Sequence, residues 1–186
     1  MKQVYAAVSA MLFILPLLCE TAVYAGREMD MRLTSTAFKD GEAIPSRYTC
    51  EGADVSPPLL ISGVPAGTRS LALIVDDPDA PDPAAPKTTW VHWVLFNLPP
   101  ELTEIREAAD MAALPATAVQ GLNDWKRPGY GGPCPPIGRH RYFFKLYALD
   151  NEPAVAGSVT KARLETAMEG HVLQQTVLMG TYRKSR

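Results

Sequence analysis

The chain has 186 residues, a length that fits a single domain. Its 18 lysines and arginines against 20 acidic residues give a formal net charge of −2, which argues against a nucleic-acid-binding protein and against a polybasic membrane-surface protein, since both need a basic surface. Apolar residues make up 47% and charged residues 20% of the chain, as in ordinary folded domains, so wholesale disorder is excluded.

The N-terminal segment has the pattern of a secretory signal peptide. Lys2 supplies a short positive region, residues 4–18 are apolar, and Val23-Tyr24-Ala25 offers small residues at a cleavage site. An uncleaved anchor is the alternative, but the apolar run is shorter than the roughly 20 residues that span a bilayer. We therefore predict a signal peptide over 1–25, a single domain over 26–186, no stable membrane span, and a periplasmic or secreted protein.

Two cysteines, Cys50 and Cys134, remain after the predicted cleavage. The compartments that receive exported proteins are oxidising, which favours a disulfide between the two. The alternative is a pair of separate thiols that serve as small hydrophobic residues, and the sequence leaves both interpretations open.

Apolar runs bounded by turn residues predict a mainly β protein with peripheral helices. A near-continuous run over 71–75 predicts a strand in the centre of a sheet. Further strands are predicted over 88–98 and 141–149, and weaker ones over 35–38, 59–62 and 117–120. Helices are predicted over 104–113 and, with Thr160 as N-cap, over 161–168. The long proline-rich loops between these elements are typical of functional or mobile segments.

Asp77 is a candidate functional residue at the end of the predicted central strand. It continues the alternation of Leu73 and Val75, and Pro78 follows it, so its carboxylate is expected at the end of the sheet. The alternative is a solvated turn, because aspartate and proline are common in turns. The carboxylates of residues 76–79 also suggest calcium, but the segment lacks the glycine and distal glutamate of an EF-hand loop, so no metal ion is predicted.

Two histidines lie on the other predicted strands. We predict that His92 shares a face with Trp90, Val94 and Phe96; the alternative is a hydrogen-bonded histidine of the core. His140 and Tyr142 have the same parity on the third strand, directly after a loop rich in glycine and proline, Gly131 to Gly138. Backbone N–H groups of such a loop can bind an anion. If the strands are neighbours, these groups form a small polar pocket with aromatic walls, suited to an anion with a modest apolar body.

Three motifs carry a family resemblance. They are D-P-D-A-P at residues 77–81, W-x-H-W at 90–93 and G-P-x-P-P-x-G-x-H-R-Y at 132–142. The sequence resembles the phosphatidylethanolamine-binding proteins, also called Raf-kinase-inhibitor-like proteins, across nearly all of residues 30–184. The resemblance implies a central antiparallel β-sheet packed on a smaller sheet, and a pocket for phosphate-like groups. Carried onto this chain, the ligand-binding residues are Asp77, Trp90, His92, Gly132, Pro133, His140 and Tyr142.

The bacterial branch of this family is the most similar, as residues 48–52 and 55–58 indicate. Many eukaryotic members have proline where this chain has Cys134, so a disulfide at Cys134 would hold the loop differently. The eukaryotic kinase-binding role does not carry over to an exported protein. Bacterial relatives also suggest a homodimer.

These features predict a binding protein for a small anionic or phosphorylated ligand, without a cofactor, that inhibits or regulates a protein target. The alternative is a hydrolase-type enzyme in which His92 or His140 is the general base and Asp77 orients it. Binding is favoured because no serine stands in a recognisable nucleophile elbow. If protonated imidazole holds the anion, affinity should increase as the pH falls through about 6–7.

Overall fold

The structure is a computed structural model, and it describes residues 30–185. The predicted signal peptide, residues 1–25, lies outside the described residues. Over the described part of the chain, no helix is both long enough and apolar enough to cross a membrane.

The described chain forms two antiparallel sheets and one α-helix. The five-stranded sheet has the order β6-β4-β3-β7-β8, and the three-stranded sheet has the order β1-β2-β5. The strands are β1 (Arg32–Thr34), β2 (Leu59–Ser62), β3 (Ser70–Ala80), β4 (Thr88–Leu98), β5 (Glu104–Ile105), β6 (Val119–Gln120), β7 (Arg139–Leu149) and β8 (Val172–Arg183). The helix α1 spans Lys161–Met168, and a single 3₁₀ turn spans Ser46–Tyr48. The predicted mainly β fold, with a central antiparallel sheet packed on a smaller one, is confirmed.

The central strand β3 is buried on both faces, as its apolar sequence predicts. Leu71, Leu73 and Val75 pack in the large core between the two sheets. Ala72 and Ile74 pack in a smaller core under α1. Burial on both faces explains why the sequence shows a continuous apolar run here instead of an alternating one.

Asp76 fixes α1 to the face of the sheet that carries the smaller core. Its Oδ2 accepts hydrogen bonds from the Nζ of Lys145 at 2.8 Å and from the Nζ of Lys161 at 2.7 Å. Lys161 is the first residue of the helix, and Thr160 is its N-cap, as predicted. The adjacent Asp77 points to the opposite face, so the two carboxylates of this pair serve different parts of the molecule.

Two of the weaker predictions are wrong. Residues 104–113 do not form a helix: Glu104 and Ile105 pair with β2, and Ala108 has a φ of 55°, which ends any regular helix. Residues 35–38 do not form a strand, because the Ser35 hydroxyl accepts the Ala37 N–H and closes a local turn. The first strand lies just before it, at residues 32–34.

A β-bulge in β4 changes the predicted face of His92. Val75 pairs with Trp93 but Asp76 pairs with Val91, so His92 is the extra residue. Beyond this point the alternation is reset, and Val94 and Phe96 pack under α1, on the other face of the sheet. The prediction that His92 shares a face with Val94 and Phe96 is therefore wrong.

Candidate functional site

A cavity of about 330 Å³ lies at the end of the five-stranded sheet, between β3, β4, β7 and the loops that follow. Eleven residues line it: Asp77, Ala80, Pro81, Trp90, His92, Trp125, Cys134, Pro135, Pro136, His140 and Tyr142. Five of the seven residues that the resemblance assigns to ligand binding are among them. The structure therefore places on one cavity wall groups that are up to 65 positions apart, from residue 77 to residue 142.

The cavity forms where β3 and β7 separate. Their backbone ladder ends at the Asp76–Phe143 pair, and beyond it side chains connect the two strands. The Asp77 carboxylate accepts a hydrogen bond from His140 Nδ1 at 2.7 Å. The Asp79 carboxylate accepts the backbone N–H of Arg141 at 2.9 Å and two hydrogen bonds from its guanidinium. Side chains are longer than the backbone groups of a β-ladder. Strands that are joined through side chains therefore lie further apart, and the cavity occupies the space between them.

The Arg141 guanidinium lowers the pKa of the Asp79 carboxyl, mainly through its direct hydrogen bonds. Asp79 is itself buried and does not line the cavity. It thus acts as a clamp between the two strands.

Both ring nitrogens of His140 face hydrogen-bond acceptors. Nδ1 lies 2.7 Å from Asp77 Oδ2, and Nε2 lies 2.9 Å from the carbonyl oxygen of Ile137. Both ring nitrogens of His140 therefore have fixed partners within the fold. With Nε2 already occupied, His140 has no free lone pair to act as a general base.

His92 is held as a neutral ring. Its Nδ1 donates to the Gly131 carbonyl oxygen at 2.6 Å, and the Gly131 N–H donates back to the His92 carbonyl at 3.0 Å. Burial is the main influence on the ring and lowers the pKa of His92, which keeps it neutral. In the neutral ring Nε2 is an acceptor, and no residue within 30–185 donates to it.

Tyr142 closes the inner wall between the two histidines. Its ring centroid lies 5.1 Å from that of His92, edge to face, and 6.5 Å from that of His140. Burial raises the pKa of the Tyr142 hydroxyl, which therefore stays protonated. This hydroxyl is buried and has no hydrogen-bond partner among the described residues.

Trp125 is a cavity residue that the sequence analysis did not identify. It packs edge-on against Trp90 at 5.4 Å and against His92 at 5.2 Å between ring centroids, and it remains 40% exposed. The preceding residue, Asp124, fixes the loop, because its carboxylate accepts the Val91 N–H at 2.8 Å. The only signal in the sequence was a tryptophan in an otherwise polar loop.

Gly132 and Pro133 lie behind the wall and do not line the cavity. The Gly132 N–H donates to Asp54 Oδ1 at 2.6 Å, so this donor is already engaged. The Pro133 carbonyl accepts the Cys50 N–H at 3.2 Å. The residues of this loop that line the cavity are Cys134, Pro135 and Pro136.

The disulfide between Cys50 and Cys134 is present, with 5.4 Å between the two Cα atoms. The alternative of two separate thiols is therefore wrong. Because Cys134 lines the cavity, the bond anchors the proline-rich wall to the loop that follows the 3₁₀ turn.

Comparison with known proteins supports the resemblance. The family model described as "Phosphatidylethanolamine-binding protein" matches residues 34–183. The chain belongs to the phosphatidylethanolamine-binding protein family. A UPF0098 protein of Methanothermobacter thermautotrophicus is 51% identical over 155 residues, covering 83% of this chain and 99% of the relative. The UPF0098 protein PH1269 of Pyrococcus horikoshii is 42% identical over 189 residues, covering 99% of this chain and 91% of the relative.

Solved structures of this family share the fold. A phosphatidylethanolamine-binding protein homolog from Chlamydia trachomatis, CT736, has a TM-score of 0.77 at 45% identity, covering 84% of this chain and 99% of the other. Escherichia coli YbcL, described as a member of the mammalian PEBP family, has a TM-score of 0.76 at 34% identity, covering 84% of this chain and 100% of the other. Membership of the phosphatidylethanolamine-binding protein family indicates a binding protein.

Proposed function

We propose that this protein is an exported binding protein whose cavity takes a small anionic or phosphorylated ligand and which, through that ligand, inhibits or regulates another protein. The observation that carries the proposal is the convergence of His92, His140, Asp77 and Tyr142 on one cavity. His92 has an unused hydrogen-bonding group at Nε2, since its bond to Gly131 engages the other ring nitrogen.

The shape and lining of the cavity support a small ligand with an apolar body. A volume of about 330 Å³ is at the lower end of the range for small-molecule sites, roughly 300–1,000 Å³. Polar groups lie on the inner wall, whereas the rest of the lining consists of Trp90, Trp125, three prolines, Ala80 and Cys134. A phosphoryl group can thus face the polar wall while a flat apolar group packs against the indole rings.

Two observations support export. Residues 1–25 have the pattern of a signal peptide, and the Cys50–Cys134 disulfide is of a kind that persists in oxidising compartments. A regulatory role is supported by the position of Trp125, which is both a cavity residue and partly exposed, so a bound ligand changes the surface available to a protein target.

The homodimer suggested by bacterial relatives remains part of this proposal. The strand β8 is an edge of the five-stranded sheet, and Leu173 and Val177 on it are exposed. An exposed apolar edge strand can pair with another chain. Light scattering of the purified protein gives its mass directly, and a monomer at micromolar concentration would contradict this part of the proposal.

Titration calorimetry with phenyl phosphate tests the binding function. We expect a saturable complex, and we expect His92→Phe to weaken it by about tenfold or more, because the change removes the free ring nitrogen and a hydrogen bond to a charged group contributes about 1.5–3 kcal/mol. Tyr147→Phe is the control, since Tyr147 packs on the opposite face of the sheet. It should bind phenyl phosphate like the wild type.

Two results would contradict the proposal. One is the absence of binding heat at millimolar phenyl phosphate. The other is release of inorganic phosphate with turnover, which would favour the hydrolase alternative.

A further inference from the structure

The polar groups offered by the cavity to a ligand are mostly acceptors. His92 Nε2 carries a lone pair, since the Nδ1–H is committed to the Gly131 carbonyl at 2.6 Å. The Asp77 carboxylate also lines the cavity, and although it accepts hydrogen bonds from His140 and from the Asp79 N–H, two oxygens provide about four lone-pair sites. A ligand oxyanion that carries no proton would therefore place its lone pairs against those of His92 Nε2 and of the Asp77 carboxylate.

The His92 ring is held by independent contacts, so its acceptor nitrogen is a fixed feature. Gly131 bonds to His92 through both its N–H and its carbonyl. Trp125 and Tyr142 pack edge-on against the ring, at 5.2 and 5.1 Å between centroids, and the residue is only 2% exposed. Rotation of the ring to present its N–H to a ligand would break the Gly131 bond in a site with little water to replace it.

The charges around the cavity do not supply a free cation either. Among the described residues that line it there is no lysine or arginine, and both nitrogens of His140 are engaged. The charged and titratable groups that face His92 are Asp77 on β3, His140 and Tyr142 on β7, and Asp54 in the loop before β2. Asp76, on the opposite face of β3, acts on the ring through the sheet. The three carboxylates raise the pKa of His92, but burial lowers it by more, so the ring remains neutral.

We propose that the cavity selects the proton-bearing form of an oxyacid: it binds the monoanion of a phosphate monoester and rejects a sulfate monoester of the same shape. The P–OH group donates to His92 Nε2, the ring nitrogen that the bond to Gly131 leaves free. A sulfate monoester carries no proton near neutral pH, so it leaves the His92 acceptor without a donor. This inference rests on the proposed binding function and specifies the ionic form of its ligand.

Calorimetry with methyl phosphate and methyl sulfate tests the inference. A phosphoryl group loses its second proton near pH 6, so we expect the affinity for methyl phosphate to fall about tenfold per pH unit above that value. We expect methyl sulfate to bind at least about tenfold more weakly than methyl phosphate at a pH of about 5, where both are monoanions.

Proton counting separates this mechanism from protonation of His92. Titrations in buffers of different ionisation enthalpy measure the protons taken up on binding. At a pH of about 5 the methyl phosphate monoanion already carries its proton, so we expect no uptake, whereas formation of an imidazolium at His92 would take up about one proton. Uptake at this pH would overturn the inference.

The variant His92→Gln gives a further comparison, because a glutamine amide can turn either its oxygen or its NH₂ group towards the ligand. We expect this variant to bind methyl sulfate and methyl phosphate within a few-fold of each other. If the variant does not fold, the wild-type titrations decide alone. Equal wild-type affinity for the two esters would overturn this inference and leave the binding function intact, whereas no binding of phenyl or methyl phosphate at any pH would overturn the proposed function itself.

Discussion

The two histidines at the cavity differ in how many of their ring nitrogens the fold engages. Both nitrogens of His140 are engaged, by a carboxylate and by a carbonyl, whereas His92 has one carbonyl partner and a buried environment that favours the neutral ring. The sequence identified both histidines and could not distinguish them, because their neighbours Gly131, Ile137 and Asp77 are brought to them by the fold. Of the four ring nitrogens, the structure leaves His92 Nε2 free for a ligand, and in the neutral ring this nitrogen is an acceptor.

The buried neutral His92 should make stability depend on pH. Unfolding returns its pKa to the ordinary value of about 6.5, so the unfolded chain binds more protons below that value and the free energy of unfolding falls as the pH drops. The contribution of His92 to the free energy of unfolding is fully present above about pH 6.5. It decreases as the pH falls from there towards the pKa of the folded state, by no more than about 1.4 kcal/mol per pH unit.

Urea unfolding between about pH 7.5 and about pH 5 measures this dependence. We expect the slope to be shallower in His92→Gln than in the wild type, and unchanged in the control Tyr147→Phe, which alters no group that titrates between these pH values. Equal slopes for the wild type and His92→Gln would show that His92 is not held neutral.

At the scale of elements, the cavity depends on irregularities in long strands. The bulge in β4 places His92 on the cavity side, and the end of the β3–β7 ladder at Asp76 creates the space. Alternation in the sequence predicted the faces of β7 correctly, with Tyr142 and Phe144 on the buried side. Alternation predicted the faces of β4 wrongly. A bulge is defined by the pairing of a strand with its partner, so the sequence of one strand does not show where it lies.

The Asp79–Arg141 pair should stabilise the separated ends of β3 and β7. We expect a double-mutant cycle with Asp79→Asn and Arg141→Gln to give a coupling free energy of about 1–3 kcal/mol, because Asp79 is buried and bonded to both the guanidinium and the backbone of Arg141. Since Arg141 lowers the pKa of Asp79, this coupling should be complete above the ordinary aspartate pKa and disappear as acid protonates the carboxylate.

The exposed pair Arg69–Glu152, at 3.8 Å, is the control for this cycle. Its coupling free energy should be close to zero, in the range of about 0–1 kcal/mol for surface pairs. A similar value for the two pairs, measured by urea unfolding, would mean that Asp79 does not clamp the strands.

At the scale of the whole molecule, one covalent bond connects the loop after the 3₁₀ turn to the cavity wall. The disulfide joins residues 84 positions apart, and Gly132 and Pro133 beside it also bond to the Asp54 and Cys50 segment. The wall is therefore held by backbone hydrogen bonds and by the disulfide together, which explains how a segment rich in glycine and proline can keep a defined shape.

Reduction of the Cys50–Cys134 disulfide should lower the free energy of unfolding. Closing a loop of this length removes conformational entropy from the unfolded chain, and the chain-entropy relation predicts a loss of about 4–5 kcal/mol on reduction. Guanidinium unfolding with and without a reductant measures the difference, and the double variant with Cys50→Ser and Cys134→Ser should not respond to reductant. Equal stability of the oxidised and reduced wild type would contradict the expected contribution.

The sequence by itself determined the mainly β fold, its central strand, the helix at residues 161–168 and the set of polar residues around Asp77, since these follow from local apolar patterns and from motifs contained in short segments. Only the tertiary structure decided which face His92 occupies, that Trp125 joins the cavity, that Asp54 takes the Gly132 donor, and that the two cysteines bond. Each of these features is a contact between segments that are far apart in the chain. Whether such a contact forms depends on how the whole chain packs, which the sequence of one segment does not determine.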